Sequence, residues 1–433
     1  MADPANPGRR TTLKAAAGAG LSLPFVARLA RAQALSGTVR VWTFLSPEGQ
    51  SPRERVLKAL IDQFKTRHPG VNIVVESQPF QELETRFVAA SGQRRAPDIV
   101  WLRDTFLALV YDRRALANLD DVLTPEFKAA AIPDMYPVFV NKSVFDGVRT
   151  SLPLWPSPAQ SIFYRKDALA EIGLEAPPLN WDAFVEAAGR LTKGNRLGLG
   201  LPSNDNSVAA LLNIMSGFGA EAFDPATGRV DLTGPMAVEA ASVIRRMVAN
   251  GALSRTLLNV MGDDIQDQFA AGRFAMAQAF TPRFDQFRRI AAGYDPRHLA
   301  VSAWPSFGNR PPAVLLGPYW VVGMWSGSQN KPAAGAFLES LYSPEASLLW
   351  ARQAGLVPDR RSVMTDPWFQ GADAAMIREF VALLGAPGAL TFPQRLPDIT
   401  RIFPVLNKAQ QELMGTEEPV PAILARAKAT LGW

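Results

Sequence analysis

The chain has 433 residues, 48% of them hydrophobic and 20% charged, with no cysteine. That balance excludes a disordered polymer, and at about 100–200 residues per domain the length suits two domains. The formal charge of +5 does not indicate a polyanion binder. Five basic residues and one acidic residue fall in the first 34, leaving 40 basic against 39 acidic, whereas a counterion-releasing surface needs clustered cations. No nucleic-acid partner is expected.

Residues 1–34 resemble a twin-arginine export signal: Arg9-Arg10 is followed by Leu13-Lys14, a Gly-rich apolar region and Ala32-Gln33-Ala34 as an A-x-A cleavage site. The expected mature chain starts near Leu35. Without cysteine it carries neither disulfides nor a lipid anchor, so the expected compartment is the periplasm, in free solution.

From Thr38 the pattern reads strand, helix, strand, helix, strand. Val39, Val41 and Thr43 alternate with Arg40, Trp42 and Phe44 at the strand period. Ser51 and Glu54 form a capping box around Pro52, and His68-Pro69-Gly70 ends the helix that follows. Val71–Val75 and Asp98–Leu102 are further strands, separated by a helix carrying Leu83, Phe87 and Val88. Such an order implies a parallel sheet whose strand ends share one ligand crevice. The loops there are 42–48, 77–80 and 103–104.

Three prolines between Pro153 and Pro158 predict an extended crossing rather than an interior strand. Helices are expected behind Asn180 and behind Thr233-Gly234-Pro235, with a short strand at Leu197–Leu201 between them. Phe274–Ala277 reads as a strand and Trp304–Asn309 as a second crossing. An apolar stretch from Ala313 to Met324 is broken at Gly317-Pro318, and Ser343-Pro344 opens a late helix.

Several marks, in one order along the mature chain, resemble the family 1 extracellular solute-binding proteins, the maltose-binding-protein group. They include Phe64–Val71, Ala96–Val100, Phe163–Leu169 with Pro177–Trp181, Gly272–Met276 and Pro332–Leu338 before Ser343-Pro344-Glu345. The resemblance implies an α/β fold of two lobes, each a mainly parallel sheet flanked by helices, joined by a hinge. It places residues 35–156 plus 305–343 in the first lobe and 157–304 plus 344–433 in the second, with crossings near Ser157–Gln160, Trp304–Asn309 and Tyr342–Pro344. It further implies a monomeric receptor that closes on a carbohydrate and delivers it to the membrane permease of an ABC importer, whose ATPase is a separate chain. No cofactor is expected.

A sugar presents hydroxyls around a ring and C–H patches on its faces, so its site needs planar polar groups and aromatic platforms. Trp42, Trp155, Phe280, Tyr319 and Trp320 fall at strand ends or crossings and are candidate platforms, each also suited to filling a core. Phe44 and Gln78 stand in the loops after the first two strands. Asp104 aligns with an acidic sugar-binding position of the maltose-binding relatives. Arg103, Arg283 and Arg352 offer donors, and two that converged would grip a carboxylate, phosphate or sulfonate, the mark of an anionic sugar derivative. Asn204, Asp205 and Asn206 offer short polar groups at another strand end.

An enzyme finds few parts here. The two histidines, His68 and His298, stand in turns, and G-x-S-x-G, P-loop and H-E-x-x-H motifs are absent, so no metal site is expected. The alternative reading is a periplasmic glycan-cleaving enzyme with paired carboxylates. Its candidate pairs, Asp120-Asp121, Asp263-Asp264 and Glu417-Glu418, are adjacent in sequence and diverge in space.

Overall fold

The structure, a computed structural model, describes residues 35–433 except 159, 206–208, 225–226, 281–297 and 396–398. The expected export signal lies outside the described residues.

The first sheet forms as its sequence pattern requires. β1 (Gly37–Thr43) leads into α1 (Pro52–Arg67), where the Ser51 hydroxyl accepts the Glu54 amide at 3.3 Å and Glu54 accepts the Ser51 amide at 2.9 Å. β2 (Val71–Ser77), α2 (Leu83–Gly92) and β3 (Ile99–Arg103) follow. β1 lies between β2 and β3, parallel to both. The two helices therefore cover opposite faces of the sheet. Val56, Leu57 and Leu60 of α1 share one core with Ile99 and Trp101, and Leu83 and Phe87 of α2 share another with Val100 and Leu102.

Beyond β3 come three short helices, α3 (Leu107–Asp112), α4 (Pro125–Ala130) and α5 (Pro137–Lys142), and a hairpin of β4 (Val144–Phe145) and β5 (Val148–Arg149). Ser151–Leu154 is β6, a strand, where the prolines predicted only a crossing. It survives Pro153 because it lies at the sheet's edge, in the order β2-β1-β3-β12-β6 with Trp320–Met324 as β12, where a missing donor leaves no gap in an interior ladder.

The second sheet has the order β10-β7-β9-β8, built from β7 (Gln160–Arg165), β8 (Leu197–Gly200), β9 (Phe274–Phe280) and β10 (Leu299–Ser302). The helix Trp181–Leu191 starts at Asn180, whose side chain accepts the Ala183 amide. The helix Pro235–Ala249 starts behind Thr233-Gly234 as expected, with Gly234 at its cap position and Asp231 accepting the Thr233 and Gly234 amides.

β11 (Val314–Leu316) pairs with β13 (Ala389–Thr391), and β12 (Trp320–Met324) returns to the first sheet. Two strands run against the parallel grain, β7 in the second sheet and β12 in the first. Both enter their lobe from a crossing and so begin at the edge where the other strands end.

One boundary differs from the sequence reading. The helix Pro344–Ala354, expected in the second lobe, packs along α1, and Trp350, Ala354 and Leu356 belong to the first lobe's core. Further on, Arg360 and Ser362 still bind Asp134 of the first lobe. The chain therefore has not left the first lobe at Tyr342–Pro344. Helix Ala375–Leu384 packs on β10 and β11.

Candidate functional site

Sheet register gathers one group of the expected residues at a common edge. Trp320, the first residue of β12, faces Arg103 at the end of β3 on one side and Leu154 at the end of β6 on the other. Phe44 follows β1 and stacks on Trp320 with ring centroids 4.3 Å apart, and Phe80 meets both edge-on at 5.6 Å. Phe80 is 39% exposed while Trp320 is 7% exposed, so Phe80 presents the open face of this aromatic group. Trp155 sits behind it, buried against Phe44, Trp101 and Trp350. Its φ of +52° is a left-handed conformation that a bulky residue seldom adopts. The Trp155 amide donates to Asp359 at 2.6 Å, which holds it there.

A second group lies on the other face of the same sheet. Asp104 is buried; its amide donates to the Tyr319 carbonyl, and its Oδ1 accepts the Tyr319 amide at 3.0 Å. Oδ2 has no partner. Burial pushes this carboxyl up to about 6 against the pull of Lys142, the Tyr319 and Thr105 amides and Arg103. Tyr319 is buried beside Phe139 and belongs to the same core as Phe392. At Gly317 an added Cβ would make ordinary contacts, 3.4 Å from the Phe392 ring and 3.5 Å from Asp104 Oδ2, and it is the φ of +132° that favours glycine there. The Gly317-Pro318 peptide is cis.

Next to this second group is a cavity of about 580 Å³, lined by Lys142 of α5, Phe223 and Gly228 of the second lobe, and Phe392, Gln394 and Arg395 beyond β13. Its walls thus come from both lobes. The Lys142 ammonium donates to the Phe392 carbonyl, and burial pulls it down to about 8, opposed by Asp104. None of the lining residues was singled out in the sequence. Lys142 and Phe392 lie 250 positions apart, and no local pattern announces that they meet.

The other expected residues are occupied otherwise. Trp42 donates its indole N–H to Glu76 at 2.7 Å, and Gln78 accepts from Arg86. Asn204 is exposed and bonded to Asn259, while Asp205 accepts the Gly262 amide at the start of a helix. Phe280 ends β9 opposite Gln160; its side chain, Asn206 and Arg283 lie outside the described residues.

The described arginines do not converge. Arg103 is gripped by Glu84 of α2 through Nε and Nη2, both at 2.8 Å, whereas Arg352, on the helix against α1, is paired with Asp366 at 2.8 Å. Asp120 is bound to Arg149, Glu417 to Arg255, and Glu418 to Arg426. Among the described residues no group of three or more His, Asp or Glu could hold a metal ion, and no helix is long and apolar enough to cross a membrane.

The family profile described as bacterial extracellular solute-binding protein matches residues 49–347. The chain belongs to this family. A binding protein of Brucella abortus (strain 2308) is 26% identical to this solute-binding protein over 384 residues, covering 87% of this chain and 88% of the relative. An ABC transporter-binding protein of Deinococcus radiodurans is 22% identical over 253 residues, covering 56% and 59%. Among solved structures, the GacH receptor of Streptomyces glaucescens GLA.O, described unliganded and with acarbose, superposes with a TM-score of 0.75. It is 22% identical, and the match covers 92% of this chain and 99% of that one. The two-lobed fold of maltose-binding-protein-like receptors is therefore the fold of this solute-binding protein.

Proposed function

We propose that this solute-binding protein is the periplasmic receptor of an ABC importer for a carbohydrate, which it encloses between its lobes and passes unaltered to the membrane permease. The observation that carries the reading is the cavity of about 580 Å³ walled by both lobes, with Phe223 and Phe392 on its apolar side and Lys142 on its polar side. Its volume suits a small ligand, and aromatic walls with a few polar groups are what a sugar ring requires. Phe44, Phe80 and Trp320 form a second aromatic group at the same end of the first sheet, on its other face. The acarbose-bound receptor of the same fold supports the choice of carbohydrate.

Of the six candidate acids of the glycan-cleaving alternative, Asp120, Glu417 and Glu418 are tied to arginines, which counts against their use as a catalytic pair. The test is a thermal-shift screen of the purified mature chain against mono- and oligosaccharides, with mass spectrometry of the recovered ligand. A rise in melting temperature with ligand recovered intact supports a receptor. Product formation, or no shift with any carbohydrate, refutes it. Small-angle scattering is expected to show a smaller radius of gyration once the ligand is bound.

A further inference from the structure

The carbohydrate reading uses Lys142 only as a polar group of the cavity wall and gives its charge no task. Lys142 ends α5 in the first lobe, its side chain lines the space between the lobes, and its ammonium has the Phe392 carbonyl as hydrogen-bond partner. An ammonium carries three donors, so two remain. Among the described residues no carboxylate reaches it within ion-pair distance; Asp104 acts on it from farther away and is itself engaged with the Tyr319 amide.

Among the described residues, the rest of the wall supplies no negative charge. Its residues are polar, apolar or basic, and none is Asp or Glu. Arg395, the other cation there, is already shared between Asp112 and Asp146 and stacked over Tyr111 and Phe145. Burial outweighs the help of Asp104 and lowers the Lys142 pKa, as expected of a cation short of compensating charge.

We infer that Lys142 is a specificity-determining ligand contact and that the cavity takes an acidic sugar, with the ligand's carboxylate on the ammonium and its ring against the aromatic wall that Phe223 and Phe392 form edge-to-face, centroids 6.2 Å apart. This rests on the carbohydrate reading and narrows it. A carboxylate accepts both remaining donors as charge-assisted bonds, while the neutral sugar of the same shape leaves the cation with only the more distant Asp104 to offset it. Arg103 and Arg352 take no part, since each is held by its own carboxylate.

The experiment measures binding of galacturonate, glucuronate, galactose, glucose and succinate to the wild-type mature chain and to Lys142→Met, Lys142→Gln and Lys142→Arg, by titration calorimetry. Ligand-free melts identify any variant that is not folded. The expected result is a uronate preference of at least tenfold over the neutral sugars, lost in Lys142→Met and Lys142→Gln and partly kept in Lys142→Arg. Equal affinity for galactose and galacturonate, or a uronate preference that survives in folded Lys142→Met, overturns the inference and leaves the carbohydrate reading standing. Binding of succinate without any sugar, abolished in Lys142→Met, supports Lys142 as an anion contact and overturns the carbohydrate reading. Silence toward all five probes overturns the inference.

Discussion

Arg103 separates two explanations of the same edge, one in which it grips a ligand and one in which it holds the first lobe together. Its guanidinium is bidentate on Glu84, its own amide donates to Glu84 Oε1 at 3.1 Å, and the two side chains are 9% and 1% exposed. Arg103→Met leaves the Glu84 carboxylate buried with the backbone amide of residue 103 as its remaining donor. Removing one partner of a buried pair costs about 3–5 kcal/mol, because the surviving charge has lost its compensation. The double substitution Glu84→Met with Arg103→Met removes both charges and is expected to recover most of that loss, since apolar side chains of similar volume often replace such pairs at little cost. Urea denaturation of the ligand-free protein, wild type against the two single and the double variants, measures this directly. If Arg103→Met changed the unfolding free energy by less than about 0.5 kcal/mol, the typical range for a surface substitution, the structural role would be refuted and the guanidinium would be free for a ligand.

Trp320→Ala is expected to cost roughly 3–5 kcal/mol in the same assay, as for a large aromatic removed from a core, because its ring is buried in the stack with Phe44. Ser51→Ala is expected to cost about 1 kcal/mol through loss of the α1 cap. Asp359 sets a pH dependence. Burial pushes its carboxyl up to about 8, against acceptance of the Trp155 amide and its own backbone amide, so the folded state holds a proton that the unfolded chain releases from about pH 4 upward. Its contribution to stability is complete below that pH and is lost as pH rises through about 8. Asp359→Asn is expected to flatten the wild-type fall in stability across that window, and parallel slopes in a series of melts from pH 5 to 8.5 would refute the assignment.

The parts of the fold that were legible carry their signals locally. Ser51, Pro52 and Glu54 define the start of α1 without help from the rest of the chain, and the alternation around Val39 and Val41 orients β1. Pro153 excluded an interior strand, as the structure bears out, but left an edge strand undetected, because sheet order is a tertiary property. The late helix Pro344–Ala354 was recognised from its cap at Ser343, but a cap says nothing of the partner, and α1 is almost 300 residues earlier in the chain. Arg103 is the sharper case. Its position at a strand end suggests a ligand contact, while Glu84, which occupies it, lies 19 residues earlier on a helix whose sequence gives no sign of facing that strand end.

Topology explains why the cleft combines fixed groups with groups that have room to move. Strands entering a lobe from a crossing begin at the cleft, so their first residues are positioned by register: Trp320 by Arg103 and Leu154, Gln160 by Phe280. Residues that follow a strand end, such as Phe80, have no such constraint. The proposed closure of the lobes would be absorbed in the crossings themselves, and the first of these is short. Trp155 is pinned at one end by Asp359 and by the rings of Trp101 and Trp350, and Gln160 is pinned at the other by β9. The described residues between these two anchors include Pro156 and Pro158, which fix two φ angles. A segment so restricted favours rotation about a few remaining bonds over a diffuse loosening, which is the behaviour required of two lobes that meet repeatedly in one closed arrangement.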